Sequence, residues 1–201
     1  PAGGAGGGRT AGPLTSVLPP LEVAGRLDRL RSGFDGAGID ALVVTCLTNI
    51  RYLTGFTGSA GELLVGADGA LLVTDGRYAE QAPSQVVDSD TEVAIAGTNR
   101  RSLVTDRLSS SDRVGLEAAS VTWSDQRRLA GWFDGIDLVP TEGLAEELRQ
   151  VKDPGEVARI EAAAAIADAA LADAVELLAV GVSERDLAAA IDHGIRTRGA
   201  D

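Results

Sequence analysis

The alternation of short apolar runs with amphipathic segments between residues 21 and 150 is the feature that most constrains the fold of this chain. Apolar runs such as DALVVTCL (40–47) and TEVAIA (91–96) have the composition of buried β-strands. Segments between the runs are typical of helices. We expect one helix in LEVAGRLDRLRSGFDGAG (21–38), ended by Gly36 and Gly38, and another in TNRRSLVTDRLS (98–109), with Thr98 at its N-cap. In TWSDQRRLAGWF, Thr122 and Asp125 have capping-box spacing. Strands that alternate with helices predict an α/β domain around a β-sheet.

One pair of strands interrupts this alternation. The segment GELLVGADGALLVTDG (61–76) reads as two strands joined by a tight turn at Ala67-Asp68-Gly69. Hairpin strands are antiparallel, whereas strands joined through a helix are usually parallel. We therefore expect residues 21–150 to form a mixed β-sheet flanked by helices.

The pattern changes after residue 150. Asp153-Pro154 places a proline at the first position of a helix, and residues 157–178 carry an apolar stripe at alternating steps of three and four. We expect this helix to end at Gly181. Ser183 and Asp186 have the spacing of a second capping box. Two successive helices do not form a domain by themselves. We expect residues 151–201 to be the truncated beginning of a second domain, with the apolar stripe exposed.

Residues 1–20 are rich in Gly, Ala and Pro, so we expect a disordered tail.

The composition of the chain limits the kinds of molecule that it can bind. The net charge of −12 argues against nucleic acid and anionic membranes, which need clustered Lys and Arg. No apolar run approaches the ~20 residues of a membrane span. We expect a cytoplasmic protein, in which the single cysteine, Cys46, is a small buried hydrophobe.

The stretch NIRYLTGFTGSAGELLVGADGALLVTDGRY (49–78) has the composition of a binding site. Its two arginines can present guanidinium forks to a carboxylate, and its aromatic rings can form apolar walls. The substrate-binding residues that we predict on this basis are Arg51, Tyr52, Phe56, Arg77 and Tyr78.

Three of these residues, and two of their neighbours, also have an ordinary structural explanation. Tyr52 and Phe56 lie four residues apart and could belong to the core. Arg77 could pair with Asp75 or Glu80 at the surface, while Asp75 could cap a helix that begins near Gly76. Asn49 could cap a short helix or contact another group.

For two further residues, His193 and Ser59, we predict no catalytic or metal-binding role. His193 is the single histidine, and a metal site needs several convergent ligands. Ser59 lies in G-S-A-G rather than in the G-x-S-x-G of a serine hydrolase. We expect no catalytic residue and no metal ligand in this chain.

Four motifs carry a family resemblance, in the order NIRYLTGFTGSAG, LLVTDGRY, LRQVKDPGEVARIEAAAAIADAAL and GVSERDLAAAID. Together they resemble the start of the Xaa-Pro aminopeptidases and dipeptidases, metallopeptidases whose architecture is shared with creatinase. The resemblance covers about residues 21–201. It implies a creatinase-like amino-terminal domain at 21–150 and the first two helices of a pita-bread catalytic domain at 151–201.

The resemblance also implies an activity. Enzymes of this family hydrolyse the Xaa-Pro bond with two divalent metal ions, manganese, cobalt or zinc, held by two Asp, one His and two Glu. Those ligands would lie beyond residue 201, so the chain alone is expected to be inactive. The amino-terminal domain would cover the active-site mouth and support a homodimer, with short proline-containing peptides as partners.

Two alternatives remain open at this point. One is a non-catalytic peptide- or histone-binding module of the same fold, since an acidic protein suits a basic partner. The other is a creatinase-type amidinohydrolase, which the GFTGSAG and TDGRY motifs fit less well.

Overall fold

The computed structural model describes residues 18–133 and 135–200. They divide into two compact units, residues 23–151 and a second unit that joins residues 18–22 to residues 152–200. The first 17 residues of the predicted tail lie outside the described residues.

A six-stranded mixed sheet forms the centre of the first unit, with the order β4-β3-β2-β1-β5-β6. Its strands are β1 (Ala41–Val44), β2 (Glu62–Gly66), β3 (Gly69–Thr74), β4 (Thr91–Ile95), β5 (Arg113–Glu117) and β6 (Asp137–Thr141). The pairs β1–β2 and β2–β3 are antiparallel, whereas β1–β5, β3–β4 and β5–β6 are parallel. The predicted mixed sheet and its hairpin are thus confirmed.

Helices cover both faces of this sheet. The helices of the first unit are α1 (Arg26–Arg31), α2 (Phe34–Ala37), α3 (Leu47–Thr54), α4 (Gln81–Gln85), α5 (Arg100–Arg107), α6 (Trp123–Ala130) and α7 (Leu144–Gln150). Successive residues of β1 belong to two different hydrophobic clusters, because side chains alternate across a strand. Helices α1, α2, α3 and α7 contribute to one cluster, while α5 and α6 contribute to the other.

Several helix boundaries differ from the prediction. The helix expected up to Gly38 is two helices, α1 and α2, separated at residues 32–33. The helix expected after Asp75 is a 3₁₀ turn, Gly76–Tyr78, followed by α4, which contains Pro83 in its first turn. Proline is tolerated there because first-turn N–H groups have no partner within the helix.

Two predicted N-caps have opposite outcomes. The Thr122 hydroxyl accepts a hydrogen bond of 3.1 Å from Asp125 N–H at the start of α6, so this cap is confirmed. The cap predicted at Thr98 is wrong, because α5 begins one residue later and Asn99 holds the N-cap position. The Asn99 side chain instead accepts from Gly97 N–H at 3.0 Å.

The second unit contains α8 (Pro154–Glu176) and α9 (Glu184–Thr197), which pack on each other. The capping box predicted at Ser183 is present, and Asp153, where a helix start with Pro154 at the first position was predicted, forms a further capping box. Helix α8 ends at Glu176, earlier than the end predicted at Gly181. Within residues 18–133 and 135–200, no helix combines the length and apolar character that crossing a bilayer requires.

Candidate functional site

A loop rich in small residues, residues 57–61, follows α3 and leads into β2. We call this segment the glycine loop. Gly55 ends α3 with a φ of 81°, a left-handed conformation that glycine adopts without steric cost. The ring of Phe56 then folds under the loop so closely that a methyl group at Gly58 would overlap it. This packing explains why the loop needs glycine at position 58.

Side chains from neighbouring elements anchor the glycine loop. The three anchoring hydrogen bonds are Thr57 N–H to Gln85 Oε1 (2.9 Å), Ser59 N–H to Tyr78 Oη (3.0 Å) and Thr74 Oγ1–H to the Ala60 carbonyl (2.6 Å). Anchors at three of its five positions hold the loop in one conformation, which is the preorganisation that a binding loop needs.

Tyr78 is the central side chain of this region. Its ring meets the Phe56 ring edge-on, with centroids 5.4 Å apart and planes at 88°. Its hydroxyl lies 2.7 Å from Ser59 Oγ, and the hydrogen bonds from Ser59 lower the pKa of the Tyr78 phenol. The structure therefore brings Phe56 and Tyr78, two of the predicted site residues, into direct contact beside Ser59.

Arg77 lies beside Tyr78 but is engaged by an acidic neighbour. Its Nε and Nη2 donate to the two carboxylate oxygens of Asp75 over 3.0 and 2.8 Å. Asp75 also accepts from Arg77 N–H at 3.0 Å, so the predicted cap is confirmed. The hydrogen bonds from Arg77 lower the pKa of the Asp75 carboxyl to about 2. The guanidinium fork predicted to face a substrate carboxylate thus binds Asp75 in this structure.

Arg51 and Tyr52 both lie on α3 but have different environments. Arg51 is exposed, and its side chain makes no hydrogen bond or ion pair with any residue that the structure describes. Tyr52 is buried, with the Arg26 guanidinium 4.0 Å from its ring centre and its hydroxyl 3.3 Å from the Leu148 carbonyl. The packing explanation therefore accounts for the surroundings of Tyr52. A role in substrate binding stays a prediction for all five residues.

Asn49 has a position that the sequence did not reveal. It lies inside α3 rather than at its cap, where Cys46 stands, and it is fully buried. Its amide donates to Glu117 Oε1 over 2.7 Å and to Glu146 Oε1 over 2.6 Å. Its carbonyl oxygen accepts from Arg149 Nη1 at 3.0 Å. Asn49 therefore joins α3 to the end of β5 and to α7.

Glu117 completes this buried polar network. It ends β5 and is only 8% exposed. Its Oε2 accepts from the backbone N–H groups of Thr45 (2.6 Å) and Cys46 (2.7 Å), which precede α3. Polar groups at this depth are costly unless they are hydrogen-bonded, and here each carboxylate oxygen has a donor. An acidic residue that ends an apolar strand was the signal available in the sequence.

The described residues do not fit a metal centre. Among them, no three His, Cys, Asp or Glu side chains converge closely enough to hold a metal ion. His193 is exposed on α9. Cys46 is a free thiol that is half-buried, rather than buried as predicted.

Comparison with known proteins relates this arrangement to a family. The family described as "Creatinase/Prolidase N-terminal domain" matches residues 26–151. The chain is 35% identical to the uncharacterized peptidase YqhT of Bacillus subtilis (strain 168) over 178 residues, 88% of this chain and 50% of that protein. It is 22% identical to the Xaa-Pro dipeptidase of Pyrococcus furiosus over 88% of this chain and 49% of that protein. The chain thus spans about half the length of these relatives.

Solved structures agree with the sequence comparison. The Xaa-Pro dipeptidase from Bacillus anthracis matches with a TM-score of 0.80 and 34% identity, over 87% of this chain and 49% of that chain. The N-terminal domain of the cytoplasmic peptidase PepQ from Mycobacterium tuberculosis H37Rv matches with a TM-score of 0.56 and 39% identity, over 63% of this chain and 99% of that chain. Because the family match extends over more than half of its residues, the chain belongs to the Creatinase/Prolidase N-terminal domain family.

Proposed function

We propose that this chain is the peptide-recognising part of a metallopeptidase that hydrolyses the Xaa-Pro bond of short peptides. Relatives named as Xaa-Pro dipeptidases and aminopeptidases support the substrate class. The chain spans about half of the Pyrococcus furiosus dipeptidase, so the proposal assigns recognition to these residues and bond breaking to a different part of the protein.

The observation that carries this proposal is the anchored glycine loop beside Tyr78. Hydrogen bonds to Gln85, Tyr78 and Thr74 fix its backbone, while Thr57 and Ser59 are exposed. A fixed loop pays little conformational entropy when a short ligand binds. We propose the five predicted residues as recognition residues: Arg51 is the exposed cation available to a peptide carboxylate, whereas the buried rings of Tyr52 and Phe56 would act through packing.

We propose that metal ions bind to the whole protein, outside the residues that the structure describes. Two divalent ions, manganese, cobalt or zinc, would activate the attacking water when bound. The described residues supply no fitting ligand set, so we assign no metal contact and no chemical step to this chain.

Assembly and location are proposed on the family resemblance. We propose a homodimer and a cytoplasmic protein. The names of the relatives favour the peptidase over a histone-binding module or an amidinohydrolase. Neither alternative has a specific supporting contact among the described residues.

Binding of a proline dipeptide tests the proposal. Titration of the ¹⁵N-labelled chain with Ala-Pro should shift the amide resonances of residues 57–61 and 76–78. Pro-Ala, which has the same composition but no Xaa-Pro bond, is the control and should give smaller shifts. Equal shifts with both dipeptides, or shifts only with a basic histone-tail peptide, would reject Xaa-Pro recognition by this surface.

A further inference from the structure

The hydroxyl groups of Ser59 and Tyr78 form a pair at the edge of the glycine loop. Their oxygens are 2.7 Å apart, and Ser59 N–H also donates to Tyr78 Oη at 3.0 Å. Neither hydroxyl has another hydrogen-bond partner among residues 18–133 and 135–200. Ser59 is exposed and Tyr78 is half-buried, so the pair is accessible from outside the loop.

Counting protons shows what this pair offers to a ligand. Two hydroxyls carry two protons, and one of them lies in the bond between the two oxygens. If Tyr78 donates that proton, the Ser59 hydroxyl keeps a free O–H. If Ser59 donates it, the Tyr78 phenol keeps a free O–H. Either arrangement leaves one hydroxyl donor without an acceptor among the described residues.

The surroundings hold this donor in place. The Tyr78 ring packs edge-on against Phe56, which is 1% exposed and lies under Gly58. Ser59 is held through its backbone N–H as well as through its side chain. A donor held at a fixed position loses little entropy when an acceptor binds.

The charges beside the pair indicate the kind of acceptor. Arg77 is matched by Asp75 in a two-point contact, so its guanidinium is already engaged and the hydroxyl pair supplies the donor at this position. A neutral hydroxyl donor suits an oxygen of the C=O type, which peptides carry on every residue.

We propose that the Ser59–Tyr78 hydroxyl pair donates a hydrogen bond to a C=O-type oxygen of the bound Xaa-Pro peptide. The inference rests on the proposed function and adds Ser59 as a substrate-contacting residue. Hydrogen bonds from Ser59 lower the pKa of the phenol, which makes Tyr78 a stronger donor. In the dipeptide the oxygen belongs either to the Xaa carbonyl or to the terminal carboxylate.

Two variants distinguish the hydroxyl that donates to the ligand from the Tyr78 phenol that anchors the glycine loop. Tyr78→Phe removes the phenol that anchors Ser59 but keeps the ring and the Ser59 hydroxyl. The double variant Ser59→Ala/Tyr78→Phe has the same loss of anchor and lacks both hydroxyls. A difference in Ala-Pro affinity between these two proteins therefore reports the donated hydrogen bond. Ser109→Ala, which removes an exposed hydroxyl bonded to the Asp106 carbonyl, is the matched control.

The experiment is an NMR titration of the full 201-residue chain and its variants with Ala-Pro. The double variant should bind about fivefold more weakly than Tyr78→Phe, the loss expected for one neutral hydrogen bond. Ser109→Ala should bind like the parent. Equal affinity of Tyr78→Phe and the double variant would overturn the hydroxyl donor and leave the proposed function standing. Failure of the parent chain to bind Ala-Pro would overturn both.

Alanyl-pyrrolidine, which keeps the Xaa carbonyl but lacks the terminal carboxyl group, assigns the oxygen. If the fivefold difference persists with alanyl-pyrrolidine, the acceptor is the Xaa carbonyl. If the difference disappears, the acceptor is an oxygen of the terminal carboxylate. Both results support a donated hydrogen bond, because each requires the difference to be present with Ala-Pro.

Discussion

The side-chain amide of Asn49 donates to Glu117 Oε1 over 2.7 Å, although 68 residues separate them in the chain. Glu117 in turn accepts the backbone N–H groups that precede α3. The contact fixes the start of α3 against the end of β5. The helix that carries Arg51 and Tyr52 is therefore positioned by a buried polar network as well as by apolar packing.

Removing Asn49 should destabilise the first unit. Asn49→Ala leaves the buried Glu117 carboxylate without one of its donors, and we expect a loss of about 2–3 kcal/mol in the free energy of unfolding. Thr48→Ala, an exposed neighbour on the same helix, should change it by less than about 0.5 kcal/mol. Urea unfolding measures both. Equal effects of the two substitutions would contradict a stabilising role for the network.

Gly58 should not accept a side chain. A methyl group at this position would overlap the Phe56 ring, so Gly58→Ala should cost about 1–3 kcal/mol through overpacking. Gly97 has open space around the same position, and Gly97→Ala should cost less than about 0.5 kcal/mol. Thermal or urea unfolding would show the difference. A Gly58→Ala protein as stable as Gly97→Ala would show that the ring does not lie under the loop.

The Asp75–Arg77 pair predicts a pH dependence. The pKa of Asp75 is lowered from its ordinary value of 3.8 to about 2, chiefly by the side-chain hydrogen bond from Arg77. Because the folded-state pKa is the lower one, the stabilisation is complete above pH 3.8 and is lost as the pH falls through about 2.

NMR titration of the carboxyl carbons checks this pH dependence. Arg77→Ala should raise the pKa of Asp75 toward 3.8, whereas Arg51→Ala should leave it unchanged. A midpoint near 3.8 in the parent chain would argue against the two-point contact.

The apolar face of α8 should cause self-association of the 201-residue chain. Leu171 and Val175 are 54% and 53% exposed. We expect the average mass in sedimentation equilibrium to rise with concentration, and Leu171→Glu to reduce that rise. Ala172→Glu adds the same charge at an adjacent exposed position and should have a smaller effect. A monomer at all concentrations up to the millimolar range would refute this prediction.

The fold was predictable because its signals are local. Strand runs, the hairpin at 61–76 and the capping box at Ser183 each depend on a few neighbouring residues. The separation of α1 from α2 and the 3₁₀ turn at Gly76–Tyr78 were missed. Tertiary packing decides how short segments such as these are divided.

The candidate site was predictable only in part. Composition identified Phe56 and Tyr78, and the structure places their rings in contact. The engagement of Arg77 by Asp75 was among the alternatives considered. The Asn49–Glu117 contact could not be found from the sequence, because it depends on how β5 lies beside the end of β1.

The most direct test of the account is a single NMR experiment on the chain with Ala-Pro and added zinc, a diamagnetic ion that leaves the resonances sharp. The account predicts shifts of the glycine-loop amides while the dipeptide remains intact, since recognition is assigned to this chain and hydrolysis is not. Release of free proline in proportion to the chain concentration would contradict it, as would an unperturbed glycine loop at saturating dipeptide.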